Sequence, residues 1–287
     1  MSVQRSRLAG ITRTIGDRLE GRVTTRHLAL FGVGFVGLFF VLPIVLLVPE
    51  SLNLGTQTPF ESYRRATSGI YVNAFGRSFL YGVVTTVVTL ALAYLLSYYL
   101  AFATERVRLA MTLVIVPLWI AYIVRYFGIL LFLSPAGPFA ELTGIEPGLL
   151  FTTPAVIVGL ANVYLPFAVL PIYNSLNAIE GELIDASRVL GANKWRTLVR
   201  IVFPLSLPGL VAAGLIVFIL AAGSFLGPAV LGGPRQTMIA NVIAQSFLEN
   251  FNIQFASALA VVYTVLLVGV LLVFNSLFDL QEVLGNI

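Results

Sequence analysis

The chain has 287 residues, of which 58% are hydrophobic and only 10% are charged, and its mean hydropathy is +0.95. No ordinary soluble domain has this balance. Cysteine is absent, which excludes thiolate chemistry, and the single histidine, His27, lies among basic residues without a carboxylate cluster nearby. We therefore expect a membrane protein with no catalytic centre, no metal site and no cofactor.

Six segments are apolar enough and long enough to cross a bilayer, which requires about 20 residues per helix. They cover approximately residues 28–49, 74–103, 109–133, 150–177, 203–227 and 254–278. The sequence therefore predicts an all-α integral membrane protein with six transmembrane helices. In this interpretation a basic segment, 1–27, precedes a transmembrane domain at 28–279, and a polar loop at 178–202 separates the fourth and fifth spans.

The basic residues predict the orientation of these spans, because short cytoplasmic segments are enriched in Lys and Arg. Most of the 17 basic residues precede the first span, separate the second and third, or separate the fourth and fifth. These residues are Arg5, Arg7, Arg13, Arg18, Arg22, Arg26, Arg106, Arg108, Arg188, Lys194, Arg196 and Arg200. Both termini are therefore expected in the cytoplasm of a prokaryotic cell. The net charge of +4 therefore reflects the topology and not nucleic-acid binding.

Within the third span, Arg125 is the one charged residue. A charge at the centre of a membrane helix costs about 2.5 to 3.5 kcal/mol on insertion scales, so it usually faces a bundle interior or a wet cavity. The sequence leaves two roles open, lining a translocation pathway or pairing with a structural partner. Polar groups at membrane depth need partners or water, which makes several others candidate pathway residues. They are Tyr122, Tyr126, Asn162, Tyr164 and Ser224.

The loop at 178–202 has the spacing of two short amphipathic helices. Leu183, Ala186, Ser187 and Leu190 recur at i, i+3, i+4 and i+7, which is one face of a helix. A following glycine, Gly191, is suited to the left-handed conformation that ends a helix, and an asparagine two residues later is suited to cap the next. The pattern predicts a cytoplasmic helical elbow. A hairpin lying on the lipid surface would have the same pattern.

The loop also has a specific motif, in which Asp185-Ala186-Ser187 is followed by Gly191, nine residues, and Ile201-Val202-Phe203-Pro204. It resembles the EAA loop of permease subunits of ATP-binding-cassette importers, written Glu-Ala-Ala, a short gap, Gly, nine residues, then Ile-x-Leu-Pro. Asp for Glu, Ser for Ala and Phe for Leu are departures that conserve charge, size or apolarity. The residues that the resemblance assigns to ATPase coupling are Glu182, Leu183, Asp185, Ala186, Ser187, Leu190, Gly191, Ala192, Ile201 and Pro204.

What the resemblance implies is the type I, MetI-like fold of these importers and a set of partners. Two ATPase subunits would each grip one such loop, a second permease that is identical or homologous would complete the pathway, and an extracytoplasmic binding protein would deliver the solute. Secondary similarities lie at residues 121–126 and at 227–234, with Met238, Ile239 and Gln245 beyond them. They resemble the spermidine/putrescine branch, some of whose members have an acidic residue where Ser224 stands.

Two functions of different class follow from the sequence. One is a transport subunit without enzymatic activity, whose ATP hydrolysis takes place on a separate chain. The other is a self-sufficient secondary transporter or channel. Such carriers commonly place ionisable groups near the membrane midplane, and none of the 13 Asp and Glu residues falls well inside a predicted span. This distribution favours the transport subunit.

Overall fold

The computed structural model describes residues 25–52, 60–145 and 148–277, and within these ranges the chain forms helices and no strand. Most of the basic segment predicted at 1–27 lies outside the described residues, as does the C-terminus from residue 278. The first helices are α1 (Thr25–Val36, continuing through Gly37–Val41 to Leu42–Ser51), α2 (Glu61–Ala66) and α3 (Gly69–Phe102).

The middle of the chain contains α4 (Val107–Ile115, with a 3₁₀ turn at Val116–Trp119), α5 (Tyr122–Phe132), α6 (Pro138–Thr143), α7 (Thr153–Asn177) and α8 (Gly181–Val189). The last part contains α9 (Lys194–Thr197, continuing through Leu198–Val202 to Phe203–Ala222), α10 (Leu226–Leu231), α11 (Ile239–Leu248) and α12 (Ile253–Leu277). Among the described residues, α1, α3, α7, α9 and α12 are each long and apolar enough to cross a membrane, and α4 with α5 forms a sixth, bent apolar pair.

The third predicted span, 109–133, is not one straight helix. It consists of α4 and α5, which meet at an angle of 101°. Pro117 has no N–H to continue an α-helix, and Ile120 takes an extended backbone conformation that ends the 3₁₀ turn. The bend turns α5 back into the bundle, where it packs against α7 and α10.

Two spans contain a π-helical turn that ends two positions before a proline. In α1 the turn Gly37–Val41 precedes Pro43, and in α9 the turn Leu198–Val202 precedes Pro204. The N–H of Phe203 donates to the carbonyl of Leu198, five residues earlier. The helical hydrogen bonds therefore shift by one residue next to the proline, which has no N–H to donate. Because of this shift, the second helix predicted in the loop at 178–202 runs without a break into the fifth span.

The core of the bundle is formed by α3, α7 and α9. Along α7, Val156, Leu160, Val163, Val169 and Ile172 are completely buried. Association of helices in a membrane depends on close packing, and small residues allow it. At Gly209 of α9 an added Cβ would lie only 2.5 Å from the carbonyl oxygen of Pro171, so α9 and α7 are in backbone contact there.

Hydroxyl groups add specific links between the packed helices. Ser97 of α3 donates to the carbonyl of Val169 in α7 at 3.1 Å, and Tyr263 of α12 donates to the carbonyl of Ala222 at 2.6 Å. Tyr94 and Ser206 join α3 to α9 at 3.1 Å. Away from water these bonds fix the register of one helix against the next. The N-terminal span, by contrast, packs mainly on α12, and no residue of its apolar window is buried.

Candidate functional site

Most of the candidate site residues lie in two regions of the described chain. One is the elbow, defined as residues 181–202. The other is the tyrosine cavity, defined by the nine residues Tyr122, Tyr126, Tyr164, Ile219, Leu220, Gly223, Ser224, Phe225 and Leu226. The first is a surface formed by consecutive residues, and the second is lined by three separate parts of the chain.

The bend of the elbow is a glycine turn that closes α8. Gly191 has φ of +81°, the left-handed conformation that glycine adopts without steric cost. The N–H of Ala192 donates to the carbonyl of Ser187 and the N–H of Gly191 to that of Arg188, both at 3.0 Å. This pair of bonds is the Schellman motif. The predicted left-handed glycine is confirmed.

The second arm of the elbow begins at Asn193. Its Oδ1 accepts a hydrogen bond from the backbone N–H of Arg196 at 2.8 Å, and its backbone is extended, as expected for the residue that caps a helix. The predicted cap is therefore confirmed. Together with the glycine turn, it fixes both ends of the bend by bonds between residues at most five positions apart.

A buried hydroxyl pair joins the two arms. Ser187 and Thr197 are each 6% exposed, and their hydroxyl oxygens lie 2.9 Å apart. Ser187 donates to the carbonyl of Ile184 at 2.7 Å, so Thr197 is the donor in the bond between the arms. Sequence reasoning missed this link because the serine was considered only as a small replacement for alanine.

The outer surface of the elbow exposes large apolar side chains. Val189 is 88% exposed, Leu190 87% and Trp195 71%. The apolar spacing predicted one helix face with four residues. Ser187 is the buried one among them, and Leu183, Ala186 and Leu190 are exposed. Exposed apolar patches of this kind are typical of interaction sites.

The charged residues of the elbow lie on the same exposed surface. Asp185 forms an ion pair with Arg188 at 3.0 Å, with side chains 73% and 62% exposed respectively, and Glu182 is also exposed. Of the remaining motif residues, Ala192 and Ile201 are half-buried and Pro204 is exposed. The elbow thus combines an internally fixed bend with an apolar, charge-flanked outer face.

The tyrosine cavity has a volume of about 420 Å³ and lies where α9 ends and α10 begins. Its size is within the range of small-molecule sites. Tyr122 and Tyr126 come from α5 and Tyr164 from α7, while Ser224 lies in the break between α9 and α10. The structure brings these four predicted pathway residues together.

Arg125 and Asn162, the other two candidates, do not line this cavity. The guanidinium of Arg125 donates to the backbone carbonyls of Asn162 at 2.5 Å and Val163 at 3.1 Å, and it lies 3.4 Å from Oδ1 of Asn162. These bonds join α5 to the middle of α7. The geometry favours the structural pairing over the pathway role that the sequence left open beside it.

Pro166 explains why Arg125 binds at this point. In α7 the carbonyl of Asn162 would normally accept the N–H four residues later, which is position 166, and proline has no N–H to donate. The guanidinium supplies the missing donor. No sequence motif signals this relation, since it joins a proline and an arginine that are remote in the chain.

The remaining lining residues were not predicted, namely Ile219, Leu220, Gly223, Phe225 and Leu226. They surround the end of α9 at Ala222, which the sequence placed five residues later, at 227. The signal available in the sequence was Gly223-Ser224, a pair that interrupts an apolar run. A second glycine, Gly227, allows α10 to approach α7, because a Cβ there would lie 2.7 Å from Leu160.

Residues 95–282 match the family described as the binding-protein-dependent transport system inner membrane component. This range includes the elbow and the whole tyrosine cavity. The chain belongs to this family. Its members are transmembrane subunits of ATP-binding-cassette importers, so the chain is a multi-pass inner-membrane transport subunit and not an enzyme, and the ATPase is a separate chain.

Among the relatives, the spermidine/putrescine transport system permease protein PotB of Escherichia coli strain K12 is 32% identical over 258 residues, covering 84% of this chain and 93% of the relative. Among solved structures, a bacterial ABC transporter for the import of alginate superposes with a TM-score of 0.75 at 16% identity, covering 88% of this chain and 93% of that one. The methionine transporter MetNI superposes with a TM-score of 0.54 at 22% identity, covering 74% and 93%.

These likenesses establish the type I importer permease fold that the resemblance implied. In such importers the permease works with ATPase subunits, a second permease and a binding protein outside the cytoplasm. The alternative of a self-sufficient carrier or channel is therefore removed.

Proposed function

We propose that this chain forms one half of the pathway by which an importer takes up a linear polyamine of the spermidine or putrescine type. The observation that carries the proposal is the 32% identity with PotB across 84% of the chain, which includes both the elbow and the tyrosine cavity. The tyrosine-lined cavity supports it, since aromatic rings bind organic cations.

The test of this proposal is uptake by the complete importer, with this chain, its partner permease, its ATPases and its binding protein reconstituted in proteoliposomes. We expect ATP-dependent uptake of labelled spermidine or putrescine, and no uptake of a neutral sugar of similar size. Uptake of neither amine by a complex that still hydrolyses ATP would reject the polyamine assignment.

For the elbow we propose the role of the ATPase contact. The exposed apolar side chains of Val189, Leu190 and Trp195 suit a groove on a partner, and an amphipathic helix in such a groove is a common mode of recognition. Because the bend is fixed at Gly191 and between Ser187 and Thr197, movement of the partner would be passed to α9 as a rigid-body motion.

This role requires the elbow to lie in the cytoplasm, and we propose that both termini lie there too. The concentration of basic residues in the elbow, in the stretch between α3 and α4 and before α1 supports this orientation. A reporter that is active only outside the membrane, fused after Ile287, should give no signal. Activity of that fusion would contradict the orientation and the number of spans.

A further inference from the structure

The tyrosine cavity contains a buried hydroxyl that has no partner. Tyr126 is 1% exposed, and its hydroxyl makes no hydrogen bond with any described residue. The hydroxyls of Tyr164 and Ser224 are its nearest polar neighbours in the cavity wall. Buried polar groups in proteins are nearly always bonded, so a hydroxyl without a bond in a cavity wall is a candidate contact for a bound ligand.

The ring of Tyr126 is held firmly in this position by two glycines. A Cβ at Gly159 of α7 would lie 3.4 Å from the ring, and a Cβ at Gly227 of α10 would lie 3.3 Å from the hydroxyl oxygen. The side chain therefore fills a slot between α7 and α10. Because the backbones of both neighbouring helices lie against this side chain, the position of the Tyr126 hydroxyl in the wall is fixed.

The chemistry of the other walls limits what can occupy the cavity. The rings of Tyr122 and Tyr164 stand at 82° to each other with centroids 6.5 Å apart, so they offer aromatic surface in two orientations. Ser224 adds a second hydroxyl. None of the nine lining residues is charged, and the guanidinium of Arg125 lies outside the lining, where it donates to the carbonyls of α7.

We infer that the tyrosine cavity holds an ammonium group of the transported amine, with the hydroxyl oxygen of Tyr126 accepting a hydrogen bond from it and the ring of Tyr164 beside it. This inference rests on the proposed function and assigns the contact to particular residues. An ammonium group has donors for an unpaired oxygen, and its charge is attracted to aromatic faces.

A site of this kind also suits passage through a membrane. A transported ion must be held well enough to enter and weakly enough to leave. Ring faces and hydroxyls meet this condition for an amine better than a carboxylate in direct contact would.

The test uses the complete importer in proteoliposomes, with labelled spermidine as the probe, and records uptake, ATP hydrolysis and thermal stability. Tyr126→Phe removes only the hydroxyl, and we expect spermidine uptake to fall about tenfold, as for a hydrogen bond to a charged group. Its thermal stability should not fall, because the hydroxyl has no partner to lose. Tyr99→Phe, a half-exposed tyrosine of α3 outside the cavity, is the matched control.

A second pair of variants separates the ring from the hydroxyl at Tyr164. Tyr164→Leu should reduce uptake about threefold to thirtyfold, the range for one cation–π contact, whereas Tyr164→Phe keeps the ring and should retain most of the rate. Parental uptake in both Tyr126→Phe and Tyr164→Leu would overturn the inference and leave the proposed function standing. A parental importer that transports neither spermidine nor putrescine would overturn both.

Discussion

The elbow and the tyrosine cavity are built in opposite ways. The elbow is held by bonds among consecutive residues, from the glycine turn at Gly191 to the cap at Asn193 and the link between Ser187 and Thr197. The cavity is lined by nine residues between positions 122 and 226, which come from four helices and one break. The comparison teaches that the proposed ATPase contact depends on a locally coded shape, whereas the proposed pathway depends on how helices pack.

This difference predicts different phenotypes. A change in the elbow should leave the bundle folded and disturb communication with the ATPase. A change around the cavity should alter stability, substrate handling or both. Each of the following variants is chosen to break or sharpen that contrast.

The largest effect is expected from Gly191→Val. Gly191 has φ of +81°, and a β-branched residue there is strained by about 1 to 3 kcal/mol even though no described atom lies within 4 Å of its Cβ position. The bend should re-form with α8 aimed differently. We expect normal membrane insertion, loss of spermidine uptake and loss of stimulated ATP hydrolysis in the reconstituted importer.

Gly144→Val is the matched control for that strain. Gly144 also has a positive φ, +68°, and the described chain leaves the space around its Cβ position open, but it follows α6, far along the chain from the elbow. It should tolerate valine with uptake and ATPase stimulation retained. Full activity of Gly191→Val in both assays would mean that the elbow is a passive surface element.

Arg125→Met tests the packing that supports the cavity. Without the guanidinium, the carbonyl of Asn162 has no donor, because Pro166 cannot supply one. Loss of a charged hydrogen bond costs about 2 to 3 kcal/mol. We expect a lower melting temperature in detergent and reduced uptake, in contrast to the elbow variants.

The double variant with Pro166→Ala separates pairing from a pathway role for Arg125. Alanine restores an N–H opposite the carbonyl of Asn162, so part of the stability lost in Arg125→Met should return. If Arg125→Met is as stable as the parent but transports poorly, the guanidinium acts on the solute and not on α7.

A smaller effect is expected from Ser187→Ala. The change removes the buried bond to Thr197 and leaves that hydroxyl unpaired, at a cost of about 1 kcal/mol confined to the elbow. ATPase stimulation should fall while the melting temperature of the bundle stays the same. The double variant Ser187→Ala/Thr197→Val removes both hydroxyls and should recover most of the coupling. Failure of the double variant to improve on the single one would remove the link as the cause.

The smallest effect is expected from Asp185→Ala. The ion pair with Arg188 is exposed, so its loss changes the stability of α8 by only about 0.3 to 0.5 kcal/mol. A partial loss of ATPase stimulation, about twofold to fivefold, would therefore come from the partner surface. Arg188→Ala breaks the same ion pair and retains the carboxylate. Equal losses in the two variants would assign the effect to the pair instead.

Much of the elbow was predictable because its signals are local. Gly191 and Asn193 were identified from residue type and spacing, and the structure confirms the turn and the cap. The bond between Ser187 and Thr197 was not predicted, since ten residues and a bend separate them. The apolar spacing indicated a helix face correctly but could not say that this face points outward, because the same pattern serves a core and a docking surface.

The sequence by itself determined the membrane class, the apolar segments and the family motif, because hydrophobic length, charge bias and local turn chemistry act over a few residues. Only the tertiary structure decided the 101° bend between α4 and α5, the early end of α9 and the grouping of Tyr122, Tyr126, Tyr164 and Ser224 around one cavity. It also decided that Arg125 supplies the donor that Pro166 lacks. The cavity and the arginine contact depend on groups distant in the chain that meet through close helix packing, and no local pattern encodes such a meeting.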